Sequence, residues 1–220
     1  MPITPKEPHD SASNNKAPYR TSLVNRSHQI LKLGYDLLDP ALLGASEEEA
    51  ITGRLTKAMQ DALEDLDAPL WAKNFWAAEE TRVNESDREG KHRLRIDIEV
   101  IEHRRGPRPH FRFEAKRLRD PDSRREYLGH DGLGCFLDGR YAAGDPDAGM
   151  LGYIQQGKAA DHVTAISDSL LMDPTRFCVS QGGGWKEHRL VRGLQTYASS
   201  HQRTGGLPGI LILHTLLDFH

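Results

Sequence analysis

The most regular pattern of apolar and polar positions lies in the middle of the chain. In the run RLRIDIEVIEH, polar residues alternate with an apolar series made of Leu94, Ile96, Ile98 and Val100. The run HFRFEAKRL alternates in the same way after the connection RRGPRP. A period of two is typical of a strand with one buried face, and Gly and Pro favour a turn between such strands. The two runs therefore predict a β-hairpin.

A helical pattern precedes this hairpin. Ser46 is followed by three glutamates, which is typical of a capping box at the start of a helix. The next apolar positions recur every three or four residues and predict one buried helix face that ends before Pro69: Ile51, Leu55, Met59, Ala62 and Leu66. A first helix with a break near Gly34 is predicted upstream in LVNRSHQILKLGYDLLD, and the segment LWAKNFWAAEETRV favours a strand.

The C-terminal half alternates between helical and strand patterns. Residues 124–142 favour a helix, although Gly129, Gly132 and Gly134 weaken it. MLGYIQ and GILILHTLLDF favour strands, and GKAADHVTAISDSLLMD favours a helix between them. RFCVSQ is a further strand candidate before the turn at Gly182 to Gly184. This order of elements predicts an α/β or α+β domain with a mixed central sheet.

Composition narrows the class of protein. A chain of 220 residues with 37% hydrophobic and 28% charged residues fits one soluble domain over residues 21–220, after a flexible tail over residues 1–20. Its longest apolar stretch is too short for a membrane helix, and the N-terminus lacks the apolar core of a secretory signal. Two cysteines without CxxC spacing exclude a disulfide framework and a four-cysteine zinc site. We therefore expect a cytoplasmic protein with no membrane partner.

The near-neutral net charge of -3 conceals an uneven distribution. The segment from Asp36 to Asp87 contains 4 Lys or Arg and 13 Asp or Glu. The segment from Arg88 to Arg125 contains 13 Lys or Arg and 7 Asp or Glu. The basic segment can attract a polyanion such as nucleic acid. The residues expected to contact nucleic acid are Arg104, Arg105, Arg108 and Arg117.

The candidate chemistry lies on the predicted hairpin. Alternation places Glu114 and Lys116 on one strand face and Asp97 on the matching face of the neighbouring strand. Two carboxylates can hold a hard divalent cation, and a lysine beside it can orient water or neutralise charge on phosphorus. The alternative is a solvated cluster of cross-strand charges without a catalytic role. A second acid-x-Lys match, Glu89 to Lys91, lies in a polar turn without a strand around it.

The capped helix, RIDIEV, the turn and FEAKRL together resemble the PD-(D/E)XK nuclease superfamily, over about residues 46–160. The resemblance implies a restriction-endonuclease-like core, with Asp97 and Glu114 as ligands of Mg²⁺ or Mn²⁺ and Lys116 as the catalytic lysine. Ile96 stands where the family name has proline. The family's further helical acid would be Glu48, with Glu47 as the alternative; a simple partner of the helix dipole is the competing interpretation of Glu48.

The resemblance also implies an activity and partners. We expect a Mg²⁺-dependent endonuclease that acts on double-stranded DNA rather than RNA, in prokaryotic defence or restriction. A recognition or regulatory protein and a second copy of the chain are the candidate protein partners, because no DNA-reading motif is visible. A catalytically silent nucleic-acid-binding or scaffold subunit with the same fold and an RNase toxin remain alternatives. Outside the candidate site, we expect Tyr127, Tyr141, Tyr153 and Cys135 to pack in the core, and His201 and Arg203 to lie in a solvated loop.

Overall fold

The computed structural model describes residues 16–82, 95–104 and 108–220, which contain seven strands and five α-helices. The strands are β1 (Phe75–Arg82), β2 (Arg95–Glu102), β3 (His110–Leu118), β4 (Asp147–Ile154), β5 (Lys186–Glu187), β6 (Gln195–His201) and β7 (Ile210–Asp218). The helices are α1 (Lys16–Asp36), α2 (Glu48–Glu64), α3 (Pro121–Leu128), α4 (Gly134–Leu137) and α5 (Ala159–Met172). Single 3-10 turns lie at Pro40–Leu43 and Leu70–Asn74.

The strands form one mixed sheet in the order β1-β2-β3-β4-β7-β6-β5. The β3-β4 and β4-β7 pairs are parallel, and the other pairs are antiparallel. Helices α1 and α2 share one apolar core with the sheet, and α3, α4 and α5 share another. The predicted class, an α/β domain with helices flanking a mixed central sheet, is confirmed.

The predicted hairpin is formed by β2 and β3. Their antiparallel ladder extends from the Ile101–His110 pair to the Ile98–Phe113 pair. The apolar face of β3 packs into the core shared with α1 and α2. The polar turn NESDREGK and Leu94 lie outside the described residues.

The N-terminal helix corrects two predictions. α1 begins at Lys16, inside the segment expected to be a tail, whereas residues 1–15 lie outside the described residues. The expected break near Gly34 is also wrong, because the helix continues to Asp36. A Cβ atom at Gly34 would lie 2.5 Å from Cγ and 2.7 Å from the backbone nitrogen of Met59. Glycine at this position therefore allows α1 to approach α2 closely, and it does not end the helix.

The predicted second helix is shifted and shorter. α2 begins at Glu48 without a side-chain cap, so the capping box at Ser46 is wrong. The carbonyl of Ser46 instead accepts a hydrogen bond from the Gln155 side chain at 2.8 Å. Leu66 lies beyond the end of the helix and is fully exposed, and Leu63 takes its place in the core.

The segment after β3 differs from the single helix predicted over residues 124–142. It forms α3, a tight turn and the short α4. A Cβ atom at Gly132 would lie 2.3 Å from the Tyr127 carbonyl oxygen, and one at Gly134 would lie 2.8 Å from the Gly129 carbonyl oxygen. Glycine is therefore required where the chain folds back on the end of α3. Tyr127, Tyr141, Tyr153 and Cys135 are buried, as predicted.

The C-terminal region contains a strand that the pattern did not indicate. β6 pairs antiparallel with β7, whereas RFCVSQ contributes only an isolated bridge from Val179 to His201. The solvated loop expected around His201 and Arg203 is wrong, since both residues are buried. The Arg203 guanidinium donates hydrogen bonds to the carbonyl oxygens of Ala142, Asp145 and Pro208.

The final strand lies in the interior of the sheet. β7 pairs with β4 along its whole length and with β6 on its other edge. Leu213 faces the core shared with α1 and α2, and Ile212 faces the other core. The described helices include none with the length and apolar character that crossing a membrane requires.

Candidate active site

The predicted site residues meet where β2 and β3 separate. Beyond the Ile98–Phe113 pair the backbone ladder ends, and the N–H of Ala115 donates a hydrogen bond to Oδ2 of Asp97 at 2.7 Å. The Asp97 carboxylate thus satisfies a backbone donor that the departing strand leaves open. This local separation of two strands gives the carboxylate room on the same face as Glu114.

The ammonium group of Lys116 is the centre of the cluster. Its Nζ donates to Oε1 of Glu114 at 3.0 Å, to Oε1 of Glu48 at 2.9 Å and to the Ala115 carbonyl oxygen at 2.8 Å. The second oxygen of Glu48 accepts from the N–H of Arg117 at 3.1 Å. Glu48 therefore links the first turn of α2 to β3, which is more than an interaction with the helix dipole. The structure brings together Asp97, Glu114, Lys116 and Glu48.

Burial and nearby negative charge shift the pKa values of Asp97 and Glu114. Burial raises the pKa of Asp97 to about 6, against the opposing effects of Lys116 and of the Ala115 N–H. Burial also raises the pKa of Glu114 well above its usual range, with the Asp97 charge acting in the same direction. Both carboxylates are therefore unfavourable as bare buried charges.

The pKa of Lys116 is raised as well, which favours the charged form of this side chain. Burial acts to lower the pKa of Lys116, but the charges of Glu114, Glu48 and Asp97 outweigh it and raise that pKa. The side chain therefore stays an ammonium ion at neutral pH. It can donate hydrogen bonds and stabilise negative charge, but it cannot accept a proton as a general base.

The donor set fits a hard divalent cation. Oε2 of Glu114 is buried and has no hydrogen-bond partner in the described residues. A buried carboxylate oxygen without a partner is unfavourable in a native protein unless another group, such as a metal ion, satisfies it. Two neighbouring carboxylates are also the oxygen ligands that Mg²⁺ prefers. Within the described ranges, however, no group of three or more Asp, Glu, His or Cys side chains forms a metal cluster.

A cleft of about 780 Å³ opens beside Lys116 and Glu48. Three cationic side chains line it, and all three are paired: Lys116 contacts Glu48 and Glu114, Arg117 contacts Glu47 at 2.7 Å, and Arg125 contacts Asp122. The carboxylates around the cleft are twice as many as the cations: Glu47, Glu48, Glu49, Asp122, Glu126 and Asp131. The cleft therefore carries excess negative charge when no other cation is present.

The expected nucleic-acid contacts divide into two groups. Arg117 lines the cleft, whereas Arg104 and Arg108 lie at the turn end of the hairpin. Because a strand rises about 3.3 Å per residue, the end of β2 at Glu102 is already about 16 Å from Asp97. The structure thus does not bring these two arginines to the site. Arg105 lies outside the described residues.

The turn after α3 adds residues that the sequence analysis did not assign to the site. His130 and Asp131 line the cleft and contact each other at 2.8 Å. Arg140 fixes this turn by donating to the His130 carbonyl oxygen and to Asp131. The three closely spaced glycines at 129, 132 and 134 were the available signal, because they indicate a tight turn rather than a helix.

Two further groups surround the carboxylates. The hydroxyl of Tyr141 donates to the Arg95 carbonyl oxygen at 2.6 Å and helps to hold the start of β2. Burial, with a smaller effect of Glu114, raises the pKa of Cys135 to about 12, so this thiol is not an activated nucleophile.

Comparisons with protein-family models, with curated proteins and with solved structures find no match to this chain.

Proposed function

We propose that this protein is a metal-dependent nuclease of the restriction-endonuclease-like type that hydrolyses phosphodiester bonds, in DNA rather than in RNA. The observation that carries the proposal is the convergence of half-buried Asp97 and Lys116 on the buried Glu114, one oxygen of which has no partner among the described residues. An ordinary surface charge cluster would be solvated and would not need to bury Glu114 beside a second, half-buried carboxylate.

Asp97 and Glu114 would hold Mg²⁺ or Mn²⁺. When bound, such an ion activates water and neutralises charge on the phosphate oxygens. The two carboxylates contribute fixed negative charge in a water-poor position, and the Ala115 N–H keeps Asp97 oriented. The raised pKa values of both groups support this assignment, because a divalent cation would compensate the charges that burial disfavours.

Lys116 acts as a hydrogen-bond donor. As an ammonium ion it orients the attacking water or a non-bridging phosphate oxygen, and it stabilises the negative charge that develops in the transition state. Glu48 acts through Lys116: its hydrogen bonds to Nζ and to the Arg117 N–H fix the position of the amine. Glu48 is thus a positioning residue rather than a catalytic one.

The biological setting belongs to the same proposal. The resemblance of RIDIEV and FEAKRL to the nuclease superfamily supports a role in prokaryotic defence or restriction, in the cytoplasm. Recognition of a DNA sequence would come from a partner protein or a second copy of the chain, since the sequence has no DNA-reading motif.

The decisive experiment is a cleavage assay on plasmid DNA, linear duplex DNA and RNA, with Mg²⁺, Mn²⁺ or excess chelator. We expect cleavage of DNA that requires the metal and is lost in Glu114→Gln. Binding without cleavage on every substrate would favour the silent subunit, and cleavage of RNA alone would favour the toxin. Full activity in chelator would exclude the metal mechanism.

A further inference from the structure

A second surface feature lies beside the acidic cleft, between α3 and α5. It is a groove of about 400 Å³ whose walls carry three arginines, Arg124, Arg125 and Arg176. Its remaining lining is mostly apolar or small, with Asp173 as the carboxylate among the groove's lining residues. Arg125 lines both the groove and the cleft, so the two features are continuous.

Arg125 of the groove is paired with Asp122, whereas Arg124 and Arg176 are positioned by other contacts. Nη1 of Arg124 lies 3.4 Å from Nδ1 of His162, an imidazole rather than a carboxylate. The guanidinium of Arg176 lies over the Phe177 ring, 5.1 Å from its centroid. Neither arginine forms an ion pair with a carboxylate within residues 16–82, 95–104 and 108–220. Oδ1 of Asp173 accepts a hydrogen bond from the backbone N–H of Arg176.

The cleft differs from the groove in charge. The cations of the cleft are held by Glu47, Asp122 and the pair Glu48 and Glu114, and its carboxylates are in excess. A phosphodiester strand therefore gains little attraction from the protein groups inside the cleft itself. The adjoining groove offers two arginines without a carboxylate partner among the described residues, and arginine matches the geometry of phosphate oxygens.

We propose that the groove between α3 and α5 binds backbone phosphates of the nucleic-acid strand that passes through the cleft. This inference rests on the proposed nuclease function. It replaces the hairpin arginines Arg104 and Arg108 as the main phosphate contacts with Arg124 and Arg176, assisted by Arg125. Contacts to phosphate fix the register of a strand without reading its bases, so the binding is independent of sequence.

The test compares two double variants of equal charge. Arg124→Gln with Arg176→Gln removes the free cations of the groove, and Arg104→Gln with Arg108→Gln removes two exposed arginines at the far end of the hairpin. Binding of a fluorescein-labelled, mixed-sequence single-stranded DNA and of its duplex is measured by anisotropy, with Ca²⁺ in place of Mg²⁺, over a range of salt concentrations. Melting curves check that each variant is folded, and Arg176→Gln alone provides a second variant at an exposed position.

We expect the groove variant to weaken binding roughly tenfold or more at low salt and to reduce the salt slope by about 1.5, which corresponds to two lost phosphate contacts. The hairpin variant should bind like the wild type. Equal binding by the groove variant and the wild type, or a larger loss in the hairpin variant, would overturn the assignment of the groove.

The outcomes separate this inference from the nuclease proposal. If the wild type cleaves DNA but the groove variant binds normally, the groove assignment fails and the nuclease proposal stands. If binding depends on the groove but no substrate is cleaved with Mg²⁺ or Mn²⁺, the nuclease proposal fails and the phosphate site stands. If the wild type neither binds nor cleaves either DNA, both are wrong.

Discussion

The N–H of Ala115 donates a hydrogen bond to the carboxylate of Asp97 at the point where β2 stops pairing with β3. The same side chain thus terminates a backbone ladder and contributes a charge to the candidate site. Its structural and chemical roles can be separated, because an amide oxygen can accept the same hydrogen bond without carrying the charge.

Asp97→Asn should abolish cleavage and stabilise the metal-free protein at neutral pH. The folded protein raises the pKa of Asp97 from 3.8 to about 6, so the metal-free protein loses stability as the pH rises through that interval. The loss amounts to roughly 3 kcal/mol and is complete above the folded pKa. Urea unfolding in chelator at several pH values measures it. Asp97→Ala, which leaves the Ala115 N–H without a partner, should be less stable than Asp97→Asn; the reverse order would contradict the proposed hydrogen-bonding role.

Lys116→Met should lower both stability and activity. Methionine keeps the length of the side chain but leaves three carboxylates without their ammonium ion, and breaking a buried ion pair costs about 3 kcal/mol. Single-turnover cleavage should fall on the order of a hundredfold or more, since a donor to developing charge is lost. The double variant with Glu114→Gln should recover part of the stability but none of the activity. A folded Lys116→Met protein that cleaves at the wild-type rate would exclude the catalytic assignment.

Glu48→Gln should slow cleavage while DNA affinity stays near that of the wild type. The amide still accepts one hydrogen bond but no longer holds the amine by charge, so Lys116 is less well positioned. We expect a rate loss of roughly tenfold, smaller than that of Lys116→Met. Glu49→Gln is the matched control, because Glu49 is the exposed neighbour on the same helical turn. Equal effects of the two substitutions on the rate would indicate a general charge effect rather than positioning.

His28 should make the fold sensitive to acid. Its ring is fully buried against Phe111 and Phe113, and burial lowers the pKa of His28 to about 4. Because the unfolded imidazole binds a proton near pH 6.5, stability is lost as the pH falls from there towards 4, by roughly 3 kcal/mol. His28→Phe should flatten this part of the pH profile, measured by urea unfolding.

Gly34→Ala should destabilise the fold by about 2 kcal/mol, although alanine is the better helix former. The new methyl group would meet Cγ and the backbone of Met59, which cannot move away without shifting α2. Gly144→Ala is the control, since no atom of the described residues lies within 4 Å of the position that its methyl group would occupy, and its effect should be small. Thermal melting of both variants measures the difference. A neutral Gly34→Ala would show that α1 and α2 can separate slightly without loss.

The hairpin and the charges on it could be predicted because their pattern is local. Alternation alone places Asp97, Glu114 and Lys116 on matching faces, and these residues are neighbours in space. β6 could not be predicted, because QTYASSH has few apolar positions and its burial depends on pairing with β7. The role of Gly34 was equally hidden, since a glycine that ends a helix and one that admits a neighbouring helix are identical in sequence.

The number of basic residues could be read from the sequence, but their positions relative to the cleft could not. Arg104, Arg108, Arg124 and Arg125 all belong to one basic segment, yet the strand length between them puts the first two at the far end of the hairpin. Arg176 comes from a distant part of the chain and joins the groove only through the packing of α5 against α3. Distances of this kind depend on the tertiary structure and cannot be read from the spacing of residues along the chain.

The interior position of β7 has a consequence for synthesis of the protein. All four residues of the candidate site lie in the first 116 positions, but the edges of β4 and β6 remain open until residues 210–218 have left the ribosome. Without β7, strands β5 and β6 have no partner that joins them to β1–β4, so the nascent chain holds its site residues beside an incomplete sheet. The scaffold of the candidate site is therefore completed only by a strand that is translated long after the last residue of the site.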